Sequence, residues 1–166
     1  PINSILQKGE GPNMKFKLLL LIFIINVSKV LAFSDAQINQ ILIENTQKKT
    51  SQKMEFYSTK LLGRAQKLGP LGEGIHGEFD LDPLYRFDLF DCTTFIETVL
   101  GLSISDSLED LKKNMIEIRY ANSNPVFLER NHFISLDWIP NNLRKGFIKD
   151  ITSSLFNNFE STSTII

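Results

Sequence analysis

Apolar residues in the first half of the chain recur every three or four positions, the spacing that places them on one face of a helix. A helix is predicted over residues 35–46, because Ser34 and Gln37 form a capping-box pattern directly before an apolar stripe. A second helix is predicted to begin at Thr50 or Ser51, which can cap it, and to end before a glycine-rich stretch. Two short amphipathic helices therefore form the first part of the predicted domain.

Two further helices are predicted in the middle of the chain. Asp91 is a good N-cap, which places Cys92 at the first position of a helix that ends near Leu102. Asp106 or Ser107 caps the next helix. The apolar face of that helix consists of Leu108, Leu111, Met115 and Ile118.

The pattern changes after these helices. Short apolar runs at 126–128, 133–136 and 147–151 have strand-like composition, and polar turns are predicted at 122–125 and 140–142. Helices followed by strands are typical of an α+β fold rather than of an alternating parallel sheet.

A glycine-rich loop and an acidic segment separate the second and third helices. The four glycines of residues 69–77 indicate positive φ angles or close backbone approach. A phosphate-binding loop is disfavoured, because no strand precedes it and no Gly-Lys-Ser/Thr follows. Residues 78–91 hold five acidic side chains and one basic one. A calcium site there would need a different spacing of the acids, so a solvated loop is favoured.

The start of the chain has the pattern of a secretory signal. Two lysines precede the apolar run 18–25, and small residues at 30–32 suit a cleavage site. Residues 14–32 are therefore predicted to be a signal peptide, and 1–13 an upstream extension. The run is too short for a membrane span, which needs about 20 apolar residues. Export to the periplasm or the extracellular space is expected, with no membrane span after cleavage.

Composition narrows the possible functions. The chain has 166 residues, with 18 basic and 19 acidic side chains, a balance that argues against nucleic-acid binding. A single cysteine excludes an internal disulfide and a multi-cysteine zinc site. Two histidines supply few ligands for a metal centre, so neither a metal nor a cofactor is expected.

Cys92 is the main candidate for chemistry. The N–H groups at a helix start favour a thiolate and can stabilise an oxyanion. Two other features oppose this reading: cysteines are often inert core residues, and the neighbouring Asp91 carries a negative charge. Either His76 or His132 could supply the base, since catalytic groups assemble in space rather than in sequence.

Five segments of the chain resemble those of a known protein family. The segment around Cys92 contains the pattern Asp-Cys-x-x-Phe. The segments are 70–74 (PLGEG), 87–100 (FDLFDCTTFIETVL), 118–120 (IRY), 130–133 (RNHF) and 137–142 (DWIPNN). Together they resemble the N-acetylmuramoyl-L-alanine amidase-like branch of the NlpC-type cell-wall cysteine peptidases. Residues 33–166 are then the N-terminal portion of an amidase-like domain.

The resemblance implies a papain-like α+β fold, in which a helix bearing the cysteine packs on an antiparallel sheet. It implies an exported bacterial hydrolase of muropeptides, with Cys92 attacking the muramoyl-L-alanine amide or a stem-peptide bond. The residues expected to bind substrate are Asp91, Arg130, His132, Asp137 and Trp138.

The family's catalytic histidine normally lies on a later strand, and no matching segment is present. The sequence therefore resembles a C-terminally truncated enzyme with an incomplete sheet. The alternatives are an inactive fragment or muropeptide-binding module, and an enzyme in which His132 acts as a substitute base.

Overall fold

The structure is a computed structural model that describes residues 33–155. The segments predicted as an extension and a signal peptide, 1–13 and 14–32, lie outside the described residues. Along the chain the elements are α1 (Asp35–Glu44), α2 (Thr50–Leu61), β1 (Ala65–Gln66), β2 (Leu89–Phe90), α3 (Cys92–Ser103), α4 (Leu108–Arg119), a 3₁₀ turn (Phe127–Glu129), a π-helical segment (Ile134–Trp138), α5 (Ile139–Lys145) and α6 (Thr152–Leu155).

The first two helices form where the sequence predicts them. The capping box of α1 is confirmed: the Gln37 N–H donates to the Ser34 hydroxyl, and the Ser34 N–H donates to the Gln37 side chain at 2.9 Å. The predicted cap of α2 is wrong, because Thr50 is already helical and Lys49 holds the N-cap position. The Gln52 side chain accepts the Lys49 N–H at 3.0 Å, which satisfies one donor at this helix start.

The sequence allows two N-caps for α4, Asp106 and Ser107. Ser107 is the N-cap, and its hydroxyl accepts the Asp110 N–H at 3.1 Å. Asp106 instead pairs with Lys53 of α2 at 2.7 Å. The inward face is confirmed, since Leu111, Met115 and Ile118 are fully buried.

The main core lies among the first four helices and the segment before α3. Its buried residues are Ile38, Leu42, Tyr57, Leu61, Leu71, Phe87, Phe90, Val99, Leu102, Leu111 and Met115. Helices α3 and α4 approach closely at Gly101, where a Cβ would lie 2.9 Å from the Met115 sulfur. A second cluster of Leu100, Ile118 and Trp138 packs separately from this core.

The α+β class is confirmed, but the expected antiparallel sheet is wrong. The two short strands run parallel, with Ala65 opposite Leu89 and Gln66 opposite Phe90. Residues 67–88 form the long crossover connection that parallel pairing requires.

The three predicted strands at 126–128, 133–136 and 147–151 are also wrong, and so is the turn at 140–142. The first two runs form the 3₁₀ turn and the π-helical segment, while 140–142 lies within α5. Phe147 donates its N–H back to the Asn142 carbonyl at 3.0 Å, which closes the end of α5 instead of pairing a strand. Among residues 33–155, no helix has the length and apolar character to span a membrane.

The glycine-rich loop and the acidic segment fold against each other. Gly69 and Gly74 have positive φ angles, as the sequence predicts. The acidic segment is more ordered than a solvated loop, because Asp80, Asp82 and Asp88 form ion pairs with Arg130, Lys67 and Arg86. Three of its five acids are therefore partnered by cations of the protein.

Candidate functional site

Cys92 occupies the first position of α3, as predicted, and its side chain is exposed and free. The Thr93 hydroxyl lies 4.0 Å from the sulfur. Within residues 33–155, the N–H groups of Cys92 and Thr93 have no hydrogen-bond partner. The site therefore presents a thiol beside unsatisfied donors at a helix start, which is a setting suited to developing negative charge.

Asp91 holds this helix start in place. Its Oδ1 accepts hydrogen bonds from the Thr94 N–H and the Thr94 hydroxyl, each at 2.8 Å, while its Oδ2 accepts the Gly69 N–H at 2.9 Å. Burial raises the pKa of Asp91, but the donors of Thr94 and Gly69 and the charge of Arg119 outweigh it and lower the pKa. The carboxylate thus caps α3 and ties the glycine-rich loop to it.

Two cavities lie beside this helix start. The polar cavity, of about 280 Å³, is lined by Asp91, Thr93, Glu97, Arg119, Arg130 and His132 among others. The apolar cavity, of about 400 Å³, is lined by Leu61, Leu62, Phe90, Cys92, Phe95 and Ile96 among others. Asp91 lines both cavities, whereas Cys92 lines the apolar cavity and Thr93 the polar one.

Beneath the polar cavity is a buried ion pair. Glu97 on α3 accepts from Arg119 on α4 at 2.6 Å and from the Trp138 indole N–H at 2.9 Å. Arg119 also donates to the Leu71 carbonyl at 3.0 Å. Burial raises the pKa of Glu97, although Arg119 and Trp138 oppose this shift. These contacts join the glycine-rich loop, two helices and the π-helical segment.

Sequence reasoning missed Glu97 and Arg119. The available signal was Glu97, the one charged residue between Cys92 and Leu102. A charged side chain on a buried helix face needs a partner of opposite charge, which here comes from α4.

Arg130 lines the polar cavity beside two acidic side chains. It donates to Asp80 at 2.8 Å and lies 3.6 Å from the buried Glu73 carboxylate. The Arg130 Nε and Nη2 atoms are buried without a hydrogen-bond partner. Burial raises the pKa of Asp80, but its contacts with Arg130 and the Asp82 N–H lower it overall. Arg130 is thus held between Asp80 and Glu73 at the wall of the cavity.

His132 also lines the polar cavity, but it does not contact Cys92. Its Nε2 lies 2.8 Å from the Phe127 carbonyl oxygen, and its ring centroid lies 4.5 Å from that of Phe127. In the described part of the chain, neither His132 nor His76 comes within hydrogen-bonding distance of the Cys92 sulfur. His132 therefore does not have the geometry of a substitute base.

The remaining predicted residues lie outside the two cavities. Trp138 is buried and donates to Glu97, and Asp137 accepts the Phe133 N–H at 3.1 Å at the start of the π-helical segment. In residues 33–155, no group of three or more histidine, cysteine or acidic side chains is arranged to hold a metal ion.

The sequence profile of the N-acetylmuramoyl-L-alanine amidase-like (AmiA-like) family matches residues 56–165, which includes both cavities. The chain belongs to this family. A protein from Legionella pneumophila has a solved structure that resembles this member of the amidase-like family, with a TM-score of 0.70 and 35% identity over 73% of this chain. Among curated proteins, no sequence matches.

Two solved structures from Bacteroides are also similar to this amidase-like chain. One is an N-acetylmuramoyl-L-alanine amidase from Bacteroides uniformis, with a TM-score of 0.55 and 26% identity over 66% of this chain. The other is a proposed xylanase from Bacteroides fragilis, with a TM-score of 0.50 and 30% identity over 60% of this chain. The chain spans 40% of the Legionella protein, 46% of the amidase and 43% of the xylanase.

Proposed function

We propose that this chain carries the nucleophile and part of the substrate groove of an amidase that acts on peptidoglycan fragments. The observation that carries the proposal is the exposed Cys92 at the start of α3, which lines the apolar cavity next to Asp91 and Thr93 of the polar cavity. The amidase-like family and the Bacteroides uniformis amidase support the choice of substrate. No cofactor is part of the proposal.

In the proposed reaction, the Cys92 thiolate attacks the carbonyl carbon of the amide between muramic acid and L-alanine. A C–S bond forms, and the oxyanion accepts hydrogen bonds from the N–H groups of Cys92 and Thr93. The C–N bond then breaks, and the amine leaves with the proton that a general base took from the thiol. Water hydrolyses the thioester and restores the thiol.

The general base is proposed to lie outside residues 33–155. Both histidines of the sequence, His76 and His132, lie in that range, and neither contacts the Cys92 sulfur. The same observation favours a second candidate function, a muropeptide-binding module that does not turn its ligand over.

A glycosidase is a weaker candidate despite the xylanase-like neighbour. Glycoside hydrolysis needs two carboxyl groups facing the scissile bond. The acids lining the polar cavity, Asp91 and Glu97, are already held by Thr94 and Gly69 and by Arg119 and Trp138. Their oxygens are committed to the protein itself, which leaves Cys92 as the better nucleophile.

We further propose that the amidase is exported from the cell and has a papain-like fold. Residues 14–32 act as a signal peptide, so that the protein reaches the periplasm or the extracellular space, where peptidoglycan lies. The fold is proposed to be the papain-like fold of NlpC-type peptidases, in which α3 carries the nucleophile.

The test is cleavage of an N-acetylmuramoyl-L-alanyl peptide by the full-length protein, followed through the release of the alanine amine. Cys92→Ala is expected to lower the rate on the order of 10³-fold or more, because the covalent step is lost. Cys92→Ser is the matched control for folding. It keeps the shape of the side chain and should leave the melting temperature unchanged.

A Cys92→Ala variant that cleaves at the normal rate would overturn the amidase proposal. Saturable binding of the muropeptide without cleavage by the unmodified protein would instead support the binding module.

A further inference from the structure

Three aromatic rings form an exposed cluster beside the polar cavity. The Phe79 and Phe127 ring centroids lie 5.7 Å apart, and those of Phe127 and His132 lie 4.5 Å apart. Phe79 is 67% and Phe127 40% exposed, and His132 is exposed as well. We call these three residues the aromatic shelf. What sets these residues apart from other exposed apolar side chains is that their rings contact one another beside a cavity, which gives a ligand a continuous aromatic surface.

The shelf is continuous with the proposed site. His132 belongs to both, since it lines the polar cavity together with Asp91 and Thr93, the neighbours of Cys92. A ligand that fills the polar cavity therefore has one end near the Cys92 helix start and can reach the shelf with the other.

The shelf is held in one arrangement by its own contacts. The His132 ring is hydrogen-bonded to the Phe127 carbonyl, and the Arg130 guanidinium lies over the Phe127 ring at 5.7 Å. Arg130 is in turn held by Asp80. A surface that is already ordered loses little conformational entropy when it binds a ligand.

The charges around the polar cavity favour a neutral ligand. Two cations, Arg119 and Arg130, face more acids than they can neutralise. The acids that line the cavity or pair with these arginines are Glu73, Asp80, Asp91 and Glu97. The excess of negative charge disfavours a carboxylate-bearing peptide there. The hydroxyl of Thr93, which lines the cavity, suits a hydroxyl or carbonyl oxygen of a neutral ligand instead.

A ligand that is apolar on one face, rich in neutral polar groups at its edge and joined to a peptide fits these features. Resting on the proposed amidase function, we propose that the aromatic shelf binds the amino-sugar ring of the muropeptide. Because the Phe127 and Phe79 rings are inclined by 58°, the C–H face of the sugar stacks on Phe127 and its edge contacts Phe79. Its hydroxyl and acetamido groups point to the donors of the polar cavity.

The proposal is tested by binding to the full-length Cys92→Ala protein, so that no turnover occurs. The probes are N-acetylmuramoyl-L-alanyl-D-isoglutamine and the sugar-free dipeptide L-alanyl-D-isoglutamine, with affinities from calorimetry. Phe79→Ala and Phe127→Ala should each weaken binding of the sugar-bearing probe about five- to tenfold, an effect typical of one aromatic contact. The affinity for the dipeptide should not change.

The matched control is Phe133→Ala, which removes a phenylalanine outside the shelf that is 63% exposed, close to the 67% of Phe79. It should leave both affinities unchanged. Phe127→Tyr should retain binding of the sugar-bearing probe, whereas Phe127→Leu should lose it while keeping a large apolar side chain in place.

Three results would overturn the proposal. One is equal binding of the two probes by the parent protein. Another is an equal loss of both affinities in the shelf variants. The third is a change in self-association of the shelf variants without any effect on the sugar. The two proposals can fail separately. If the protein binds the sugar-bearing probe selectively but does not cleave muropeptides, sugar binding by the shelf is supported and the amidase proposal fails.

Discussion

Asp91 shows how one side chain can organise a site through the backbone groups that it binds. Its two carboxylate oxygens are taken by Thr94 and by the Gly69 N–H, so that it fixes both the start of α3 and the adjoining loop. The helix-start N–H groups offset the negative charge that would otherwise oppose a thiolate at Cys92. Substrate binding by Asp91 stays a prediction.

We predict that Asp91→Ala lowers the free energy of unfolding by about 1–2 kcal/mol, because α3 loses its cap. Asp91→Asn should cost less, since it keeps a capping oxygen and loses only the charge. The measurement is urea denaturation at neutral pH. Equal stability of Asp91→Ala and the parent protein would show that the cap contributes nothing.

The charge of Asp91 also predicts a pH dependence. Its pKa in the fold is lower than the ordinary value of 3.8, so the ionised carboxylate stabilises the fold above that value. The contribution is lost as pH falls through the lowered pKa. The stability difference between the parent protein and Asp91→Asn should therefore shrink on acidification below about pH 4. A difference that stays constant with pH would contradict this assignment.

The position of Cys92 followed from the sequence because capping is a local rule. Ser34 and Asp91 are short polar residues directly before apolar periodic segments, and both cap helices. The Glu97–Arg119 pair did not follow, because its two residues lie on different helices. Only packing of α3 against α4 brings them together.

At the scale of elements, the predicted strands failed for a common reason. Residues 126–128 and 133–136 are apolar, but most of their side chains are exposed, so no alternation of buried and exposed faces holds them in a sheet. Runs this short carry too little periodicity to separate a strand from a helical turn. Buried Trp138 and its bond to Glu97 secure the second run as a helical segment.

The sequence predicts close backbone approach in the glycine-rich loop, and alanine substitutions test it. A Cβ at Gly72 would lie 2.7 Å from the Asp80 carbonyl oxygen, and one at Gly77 2.8 Å from it. We predict that Gly72→Ala and Gly77→Ala each cost about 1–3 kcal/mol of stability, because the backbone of the loop must move. Thermal denaturation measures the effect.

The matched control for these glycines is Gly63→Ala. Gly63 has a positive φ angle, but a Cβ there meets nothing within 4 Å. Gly63→Ala should therefore lower stability only by the cost of a positive φ angle for alanine, about 1 kcal/mol. The close-approach argument fails if Gly72→Ala is no more destabilising than Gly63→Ala.

At the scale of the whole molecule, one buried network connects the parts that form the site. Glu97 and Arg119 join α3 to α4, Arg119 holds the loop through the Leu71 carbonyl, and Trp138 brings in the π-helical segment. Each of these parts contributes to the walls of the polar cavity or to the elements beside it. The geometry of the cavity therefore depends on an ion pair whose two side chains are each only 4% exposed.

We predict that Arg119→Met lowers the free energy of unfolding by about 3–5 kcal/mol near pH 7.5, because it leaves the Glu97 carboxylate buried without its partner. Burial already raises the pKa of Glu97, and loss of Arg119 raises it further. At low pH Glu97 is neutral and the penalty shrinks, so the loss should be smaller at pH 4.5. Trp138, the single tryptophan, reports unfolding by its fluorescence in urea.

Lys53→Met is the matched control, because it also breaks an ion pair of a buried cation. Its partner Asp106 is 62% exposed, and water solvates that carboxylate once Lys53 is gone. The control should therefore cost less than about 1 kcal/mol, with little change between the two pH values. If Arg119→Met costs no more than Lys53→Met, or costs the same at both pH values, the buried charge of Glu97 does not hold these elements together.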